Sequence, residues 1–139
     1  MIIKDVMIPK VITIDSNDTV FNACIKLLEE RIGCVVVMDK GLCSGIVTER
    51  DFIERTICMN RDAGKTKVRE IMTPDIITIN PLDRLEDALE VMKKYRIKKL
   101  PVVTNGHLIG IVTVSDIAHA RPELTKRFIE SWIKPRWDE

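Results

Sequence analysis

The sequence predicts a mixed α/β (α+β) fold built from two copies of one β-α-β-β-α unit. Three observations carry that expectation. The chain repeats itself without a gap at an offset of 65 residues: Asp5-Val-Met-Ile-Pro-Lys-Val-Ile-Thr-Ile14 falls on Glu70-Ile-Met-Thr-Pro-Asp-Ile-Ile-Thr-Ile79. Gly41-Leu-Cys-Ser-Gly-Ile-Val-Thr-Glu-Arg-Asp51 likewise falls on Gly106-His-Leu-Ile-Gly-Ile-Val-Thr-Val-Ser-Asp116. A register kept across several elements and their turns marks two copies of one structural unit. Each copy alternates a helical stripe with short Val- and Ile-rich runs. Apolar residues make up 45% of the chain but aromatics only 4%, so the core is expected to be aliphatic. Each copy is too short to bury a generous core alone. The two are expected to pack face to face about a pseudo-two-fold axis, leaving two equivalent crevices whose edges are where function should be sought.

The elements follow in order. Val11–Ile14 reads as a short strand, closed by the polar run Asp15-Ser-Asn-Asp18. Asp18 or Thr19 can cap a helix whose stripe is Val20, Ala23, Cys24, Leu27 and Leu28, and Gly33 is expected to end it. Cys34–Met38 and Ser44–Thr48 form a hairpin around Asp39-Lys-Gly41. A helix begins between Glu49 and Asp51 and runs towards Met59. Asn60–Gly64 is a linker, and Val68–Met72 a short helical lead-in to the second copy. There Ile76–Ile79 is the strand, Pro81 suits the first turn of the next helix, and Leu85, Ala88, Leu89 and Met92 form its apolar face. Leu100–Val103 and Leu108–Thr113 make the second hairpin, with Asn105-Gly106 as its turn. Pro101 belongs at a strand start or edge, since it cannot donate to a ladder. Asp116 opens a short helix, and a last one spans Pro122 to Ile133. Residues 5–59 and 66–120 are thus two repeats, with 121–139 a helical extension.

Composition narrows the function. A formal charge of +1 gives no general attraction to nucleic acid or membranes. No stretch has the length of a membrane span and Met1–Asp5 lacks a signal-peptide layout, so a cytoplasmic protein is expected. Cys24, Cys34 and Cys43 sit in apolar patterning and read as buried free thiols. With Cys58 the only other cysteine, and His107 and His119 the only histidines, no closely spaced metal-ligand pairs arise, and no metal site is expected.

The chemistry-bearing pattern is Gly-Ile-Val-Thr-x-x-Asp, at Gly45–Asp51 and again at Gly110–Asp116. A strand edge delivers a hydroxyl and, three residues on, a carboxylate at a helix start. Helix starts offer free N–H groups to phosphate, and a carboxylate there can accept bonds from ribose hydroxyls. The plainer reading makes Thr48 and Thr113 N-caps with Asp51 and Asp116 as their capping-box partners. Both readings stand on the sequence.

These residues, with Val-Met-Ile-Pro9, Ile-Met-Thr-Pro74, both Ile-Thr-Ile strands and Leu-Pro-Val-Val103, closely resemble a tandem pair of cystathionine-β-synthase-type (CBS) domains, a Bateman module. The resemblance covers residues 5–120. It implies a sensor of AMP, ADP, ATP or a related adenosyl ligand such as S-adenosylmethionine, with no enzymatic activity and no cofactor of its own. It also implies regulation of a separate effector protein. Carried over, ribose binding falls to Asp51 and Asp116 and the nearby hydroxyls to Thr48, Thr113 and Ser115. Adenine contacts fall to Thr13, Ile14, Asp15, Ile32 and Gly33 in one half, and to Thr78, Ile79, Asn80, Ile97 and Lys98 in the other. The family pattern pairs these segments with the Thr-x-x-Asp of the opposite half. One crevice would then combine Thr13, Ile14, Ile32 and Gly33 with Thr113, Ser115 and Asp116. The other would combine Thr48, Arg50 and Asp51 with Thr78, Ile79, Ile97 and Lys98, and its Arg50 and Lys98 suit it better to phosphate.

A homodimer is expected, pairing the helical surfaces and the stretch Phe128-Ile-Glu-Ser-Trp-Ile133. Nucleic-acid binding is the alternative that Lys126, Arg127, Lys134 and Arg136 with Trp132 and Trp137 would serve, but Glu130, Asp138 and Glu139 interrupt that patch. A purely structural CBS protein with empty crevices is the other alternative.

Overall fold

Two-residue turns with both central residues at positive φ give each half its hairpin: Lys40 and Gly41 in one, Asn105 and Gly106 in the other. That combination matches the twist of the flanking strands. The computed structural model describes residues 1–131. In chain order it contains α1 (Ile3–Val6), β1 (Thr13–Asp15), α2 (Val20–Glu30), β2 (Cys34–Asp39), β3 (Leu42–Thr48) and α3 (Glu49–Phe52). A π-helical turn, Ile53–Ile57, and a 3-10 turn, Val68–Glu70, follow. The chain then continues through β4 (Thr73–Pro74), α4 (Leu85–Tyr95), β5 (Lys99–Thr104), β6 (His107–Thr113), α5 (Val114–Ala120) and α6 (Pro122–Ser131). Trp132 and Ile133, expected to finish the last helix, lie outside the described residues, as do Lys134, Arg136 and Trp137.

Two compact units result: Val11–Ile76, and Met1–Lys10 together with the chain from Ile77 onward. The first carries a sheet in the order β1-β2-β3-β4, with β1 parallel to β2 and the other pairs antiparallel. Val35, Val37 and Val47 point from this sheet into one cluster with Ile14, with Val20, Ala23 and Leu27 of α2, and with Phe52 of α3. Both helices therefore cover the same sheet face. The second unit repeats the plan with fewer bonds. β5 pairs with β6, while Ile79 bridges to Val102 in parallel and Ile8 to Ile111 in antiparallel fashion. Its core gathers Leu85, Ala88, Leu89 and Met92 of α4 with Leu100, Val102, Val112, Ile117 and Phe128, and Ile3 from the amino terminus.

The expected strand over Ile76–Ile79 shrinks to the single bridge at Ile79, and Pro101 supplies the reason. In the first copy the Val36 N–H donates to the Ile12 carbonyl at 3.3 Å, extending the pairing back from Thr13. Pro101 occupies the equivalent place and has no N–H to offer Ile77. Ile79 keeps both its bonds, donating to the Pro101 carbonyl and accepting from Val103, at 3.0 Å each. Pro101 thus sits on the edge of β5 that proline tolerates.

Other expectations shift by local physics. Thr19 caps α2, its hydroxyl accepting the Asn22 N–H at 3.1 Å. Arg31, not Gly33, takes the left-handed position that ends α2, and Arg96 does the same after α4. Pro81 lies in a turn before α4 instead of in its first turn, and its carbonyl accepts the Lys4 N–H at 2.9 Å. Leu28, expected on the buried stripe of α2, is exposed, and Cys24 and Cys43 are half-buried where Cys34 is buried. Burial raises the pKa of the Cys24 and Cys43 thiols.

One feature of the repeated motif is purely steric. β4 crosses β3 so closely at Gly45 that a Cβ there would meet the Thr73 carbonyl oxygen and the Met72 sulfur, each at 2.7 Å. At Gly110 a Cβ would meet the Met7 sulfur at 2.6 Å and the Ile8 carbonyl oxygen at 3.0 Å. The methionine can swing away but the carbonyl belongs to a paired strand. Gly45→Ala is expected to cost about 1–3 kcal/mol in urea denaturation, and Gly110→Ala less. Equal stability of Gly45→Ala and the native chain would contradict the close crossing.

Candidate functional site

β3 hands directly to α3 at Thr48, and the turn is fastened by Asp51. The Asp51 carboxylate accepts the Thr48 N–H at 2.9 Å and faces the Thr48 hydroxyl at 3.3 Å, both through Oδ2. Its Oδ1 faces the Arg55 Nε at 3.8 Å, and the residue is 8% exposed. Arg55 also donates to the Ile71 and Met72 carbonyls, at 3.1 Å each, so it ties this corner to the chain leading into β4. Arg50 is exposed and its Nε pairs with Glu54 at 2.5 Å. The Gly33 carbonyl accepts the Glu49 N–H at 3.1 Å, which sets Ile32-Gly33 beside the corner.

The second copy has the same joint with different surroundings. Asp116 Oδ2 accepts the Thr113 N–H at 2.9 Å, and the Thr113 hydroxyl accepts the Asp116 N–H at 3.1 Å. Its other carboxylate oxygen makes no hydrogen bond among the described residues, and no arginine takes the place of Arg55, since Ala120 stands there. The Lys98 carbonyl accepts the Val114 N–H at 3.0 Å, the counterpart of the Gly33 bond. A cleft of about 270 Å³ opens at this joint, lined by Lys98, Lys99, Thr113, Val114 and Ser115. The equivalent positions in the first copy are Gly33, Cys34, Thr48, Glu49 and Arg50. One corner therefore carries two lysines and no acid in its lining, while the other balances Arg50 against Glu49 and Glu54.

The capping role of both aspartates is thus realised in full. Asp116 keeps one oxygen for another partner, and Asp51 is the more enclosed. The remaining candidates lie further off within each unit. Thr13, Ile14 and Asp15 pair with β2 on the flank opposite β3. Asp15 accepts the Asn17 N–H at 2.8 Å and Asn80 the Leu82 N–H at 2.9 Å, so each shapes the turn after its strand. Thr78 is exposed beside the Ile79 bridge. Ile32 and Ile97 pack against their respective cores. Arg50 belongs to one unit and Lys98 to the other; within its own unit Lys98 accompanies Thr113 and Ser115.

Three residues were missed from the sequence. Lys99 lines the cleft, and Arg55 was legible as the i+4 partner of Asp51. Lys26 is bonded through its ammonium to the Thr13 carbonyl at 2.5 Å, thirteen residues away, with no local signal to announce it. Among the described residues no group of three or more His, Cys, Asp or Glu side chains could hold a metal ion. No helix there is long and apolar enough to cross a membrane.

Comparison with known proteins agrees with this architecture. The family model for the CBS domain matches residues 3–57 and again 68–123. The CBS domain-containing protein YhcV of Bacillus subtilis is 35% identical over 116 residues, covering 84% of this chain and 82% of its own. The conserved CBS domain protein TA0289 of Thermoplasma acidophilum is similar with a TM-score of 0.84 at 25% identity, over 94% of this chain and 75% of that one. The CBS domain pair of protein MJ0100, solved in complex with 5′-methylthioadenosine and S-adenosyl-L-methionine, has a TM-score of 0.77 at 30% identity, over 86% and 94% of the two chains. The repeat, the two glycine-crossed hairpins and the paired Thr-x-x-Asp joints are those of a tandem CBS domain pair, and the chain belongs to the CBS domain family.

Proposed function

We propose that this chain is a regulatory module, not a catalyst, that binds an adenosine nucleotide at the Thr113–Asp116 joint and passes the signal to a separate effector protein. The observation that carries the reading is the joint itself, where Thr113 lines the cleft with Lys98 and Lys99 and donates its N–H to Asp116 Oδ2. Vicinal ribose hydroxyls are donors and suit the carboxylate. Phosphate oxygens are acceptors and suit the two ammonium groups. The cleft, about 270 Å³, falls just below the usual range for ligand pockets, roughly 300–1,000 Å³, and so fits the ribose-phosphate end of a nucleotide. The adenosyl complexes of MJ0100, a related CBS pair, support the ligand class.

This reading moves the stronger phosphate site away from Asp51, where the sequence put it. Arg50 is already paired with Glu54, and Glu49 lies next to it. The competing reading, a structural pair with no ligand, draws on one fact: both aspartates are satisfied as caps.

Thermal denaturation with AMP, ADP, ATP, NAD, S-adenosylmethionine and 5′-methylthioadenosine tests the proposal. A ligand at a hundred times its Kd adds about 2.7 kcal/mol, a shift of several degrees. ADP and ATP are expected to stabilise more than the uncharged or cationic adenosyl compounds, and Lys98→Ala with Lys99→Ala should abolish that preference. If no adenosyl compound shifts the transition, the structural reading replaces this one.

A further inference from the structure

In the second unit α6 lies against both α4 and α5. Phe128 is buried there in one cluster with Leu89, and Leu124 packs against the same cluster. Phe128, expected from the sequence at a dimer surface, therefore serves its own unit. These three side chains are the apolar lining of a groove of about 420 Å³ between α4 and α6. The volume falls in the range of roughly 300–1,000 Å³ that holds small ligands. Charged side chains complete the lining: Glu86, Glu90, Lys93 and Arg127. Glu86 faces Arg84 at 3.6 Å. Glu90, Lys93 and Arg127 make no ion pair among the described residues. One acid and two bases thus stand around an apolar groove with their charges unmatched.

These charges belong to the second copy alone. The first copy has Phe21, Ile25 and Leu28 where the second has Glu86, Glu90 and Lys93. The second copy is also the one from which α6 leads on. The described part of that helix ends at Ser131, and Trp132-Ile-Lys-Pro-Arg-Trp-Asp-Glu139 continues from it. Pro135 disfavours the helical conformation at Lys134 and has no N–H, so it suits a reversal of the chain. Leu124 to Ser131 spans about 10 Å of helix, and five extended residues from Pro135 reach up to about 17 Å, enough to run the length of the groove. Their charges complement its lining: Arg136 for Glu90, and Asp138 and Glu139 for Lys93 and Arg127. Trp137 stands between them, a large flat side chain suited to an apolar slot.

We infer that Pro135–Glu139 folds back into the α4–α6 groove of its own unit as an internal ligand. The Trp137 indole lies against Leu124 and Phe128, and the flanking charges pair with the rim. A segment tethered this closely is present at an effective concentration on the order of millimolar, so one indole and a few rim pairs suffice to hold it. Rim pairs between exposed groups contribute little each, and their part is to set the register of the segment.

The chain has two tryptophans, Trp132 and Trp137, so Trp132→Phe leaves Trp137 as the only indole. Acrylamide quenching of that chain is compared with quenching of the free peptide Pro-Arg-Trp-Asp-Glu. A groove that covers about 70% of the indole makes quenching about threefold weaker than in the peptide. Emission should move to shorter wavelength, equally at low and high chain concentration. Lys93→Glu with Arg127→Glu reverses two exposed charges, which the fold should accept with an unchanged circular dichroism spectrum. Quenching is then expected to approach that of the peptide, and adding Asp138→Lys with Glu139→Lys should restore the shielding. If the double reversal does not fold, Arg127→Glu alone is read and should move quenching in the same direction. Trp137 quenched as freely as the peptide overturns the inference. So does shielding that is lost on dilution, which assigns the segment to another copy, or shielding that the folded charge reversal leaves unchanged.

Discussion

Ile3→Ala is expected to remove about 2–5 kcal/mol from the stability of the unit that contains α4, β5 and β6. Ile3 is fully buried and lies in the cluster of Leu85, Ala88, Leu100, Val102 and Ile117. Its position is fixed by backbone as well as side chain. The Ile3 N–H donates to the Asp83 carbonyl and the Lys4 N–H to the Pro81 carbonyl, both at 2.9 Å. Such a clamp leaves the surroundings little room to collapse around a cavity, which places the cost towards the upper end of the range. Ile3→Val deletes one methylene and should cost about 0.5–1.5 kcal/mol. The equivalent Val68→Ala should weaken the Val11–Ile76 unit instead, because Val68 is fully buried in that cluster. Urea denaturation followed by backbone amide exchange separates the cases. Loss of protection confined to β2 and β3 in Ile3→Ala would contradict the assignment of the amino terminus to the second unit.

That assignment also marks where the sequence stops being informative. The gapless repeat made the element order legible, because a 65-residue offset constrains every helix stripe and hairpin twice. It could not reveal which core receives the opening segment of each repeat. Ile3 and Val68 are apolar in both copies and would satisfy either core equally. The compact unit Val11–Ile76 therefore holds Val68 and Ile71, and the amino-terminal Ile3 joins the chain from Ile77 onward. Pro101 was recognised as an edge residue, yet its consequence for Ile76–Ile79 depended on knowing that Val36 donates to Ile12 in the other copy.

The candidate site was legible as residue types and less so as an arrangement. Thr48–Asp51 and Thr113–Asp116 form the joints the motif suggested, and the cap and ligand readings were both visible. What separated the copies was the surroundings of each joint: Arg55 beside Asp51 in one, and a cleft lined by Lys98, Lys99 and Thr113 in the other. Spacing alone does not report which lone pairs are already used. The exposed Leu28 shows a second limit, since a helical stripe does not say whether a core, a neighbouring helix or a second copy covers it.

Asp116→Ala carries the largest effect expected on binding. On the proposed reading it removes the acceptor for the ribose hydroxyls, a charged hydrogen bond worth about 1.5–3 kcal/mol, so affinity for ATP should fall at least about tenfold. The same change also strips a capping box, at a cost near 1 kcal/mol in stability. Asp51→Ala strips the equivalent box, so it reports what cap loss alone does to ligand affinity.

Calorimetric titration of ATP into the native chain, Asp51→Ala and Asp116→Ala, each accompanied by its melting temperature without ligand, is the most direct measurement of the proposed nucleotide site. Both variants should melt lower than the native chain, and Asp116→Ala alone should lose affinity by tenfold or more. Native-like ATP affinity in a folded Asp116→Ala variant would contradict it and leave Asp116 a helix cap.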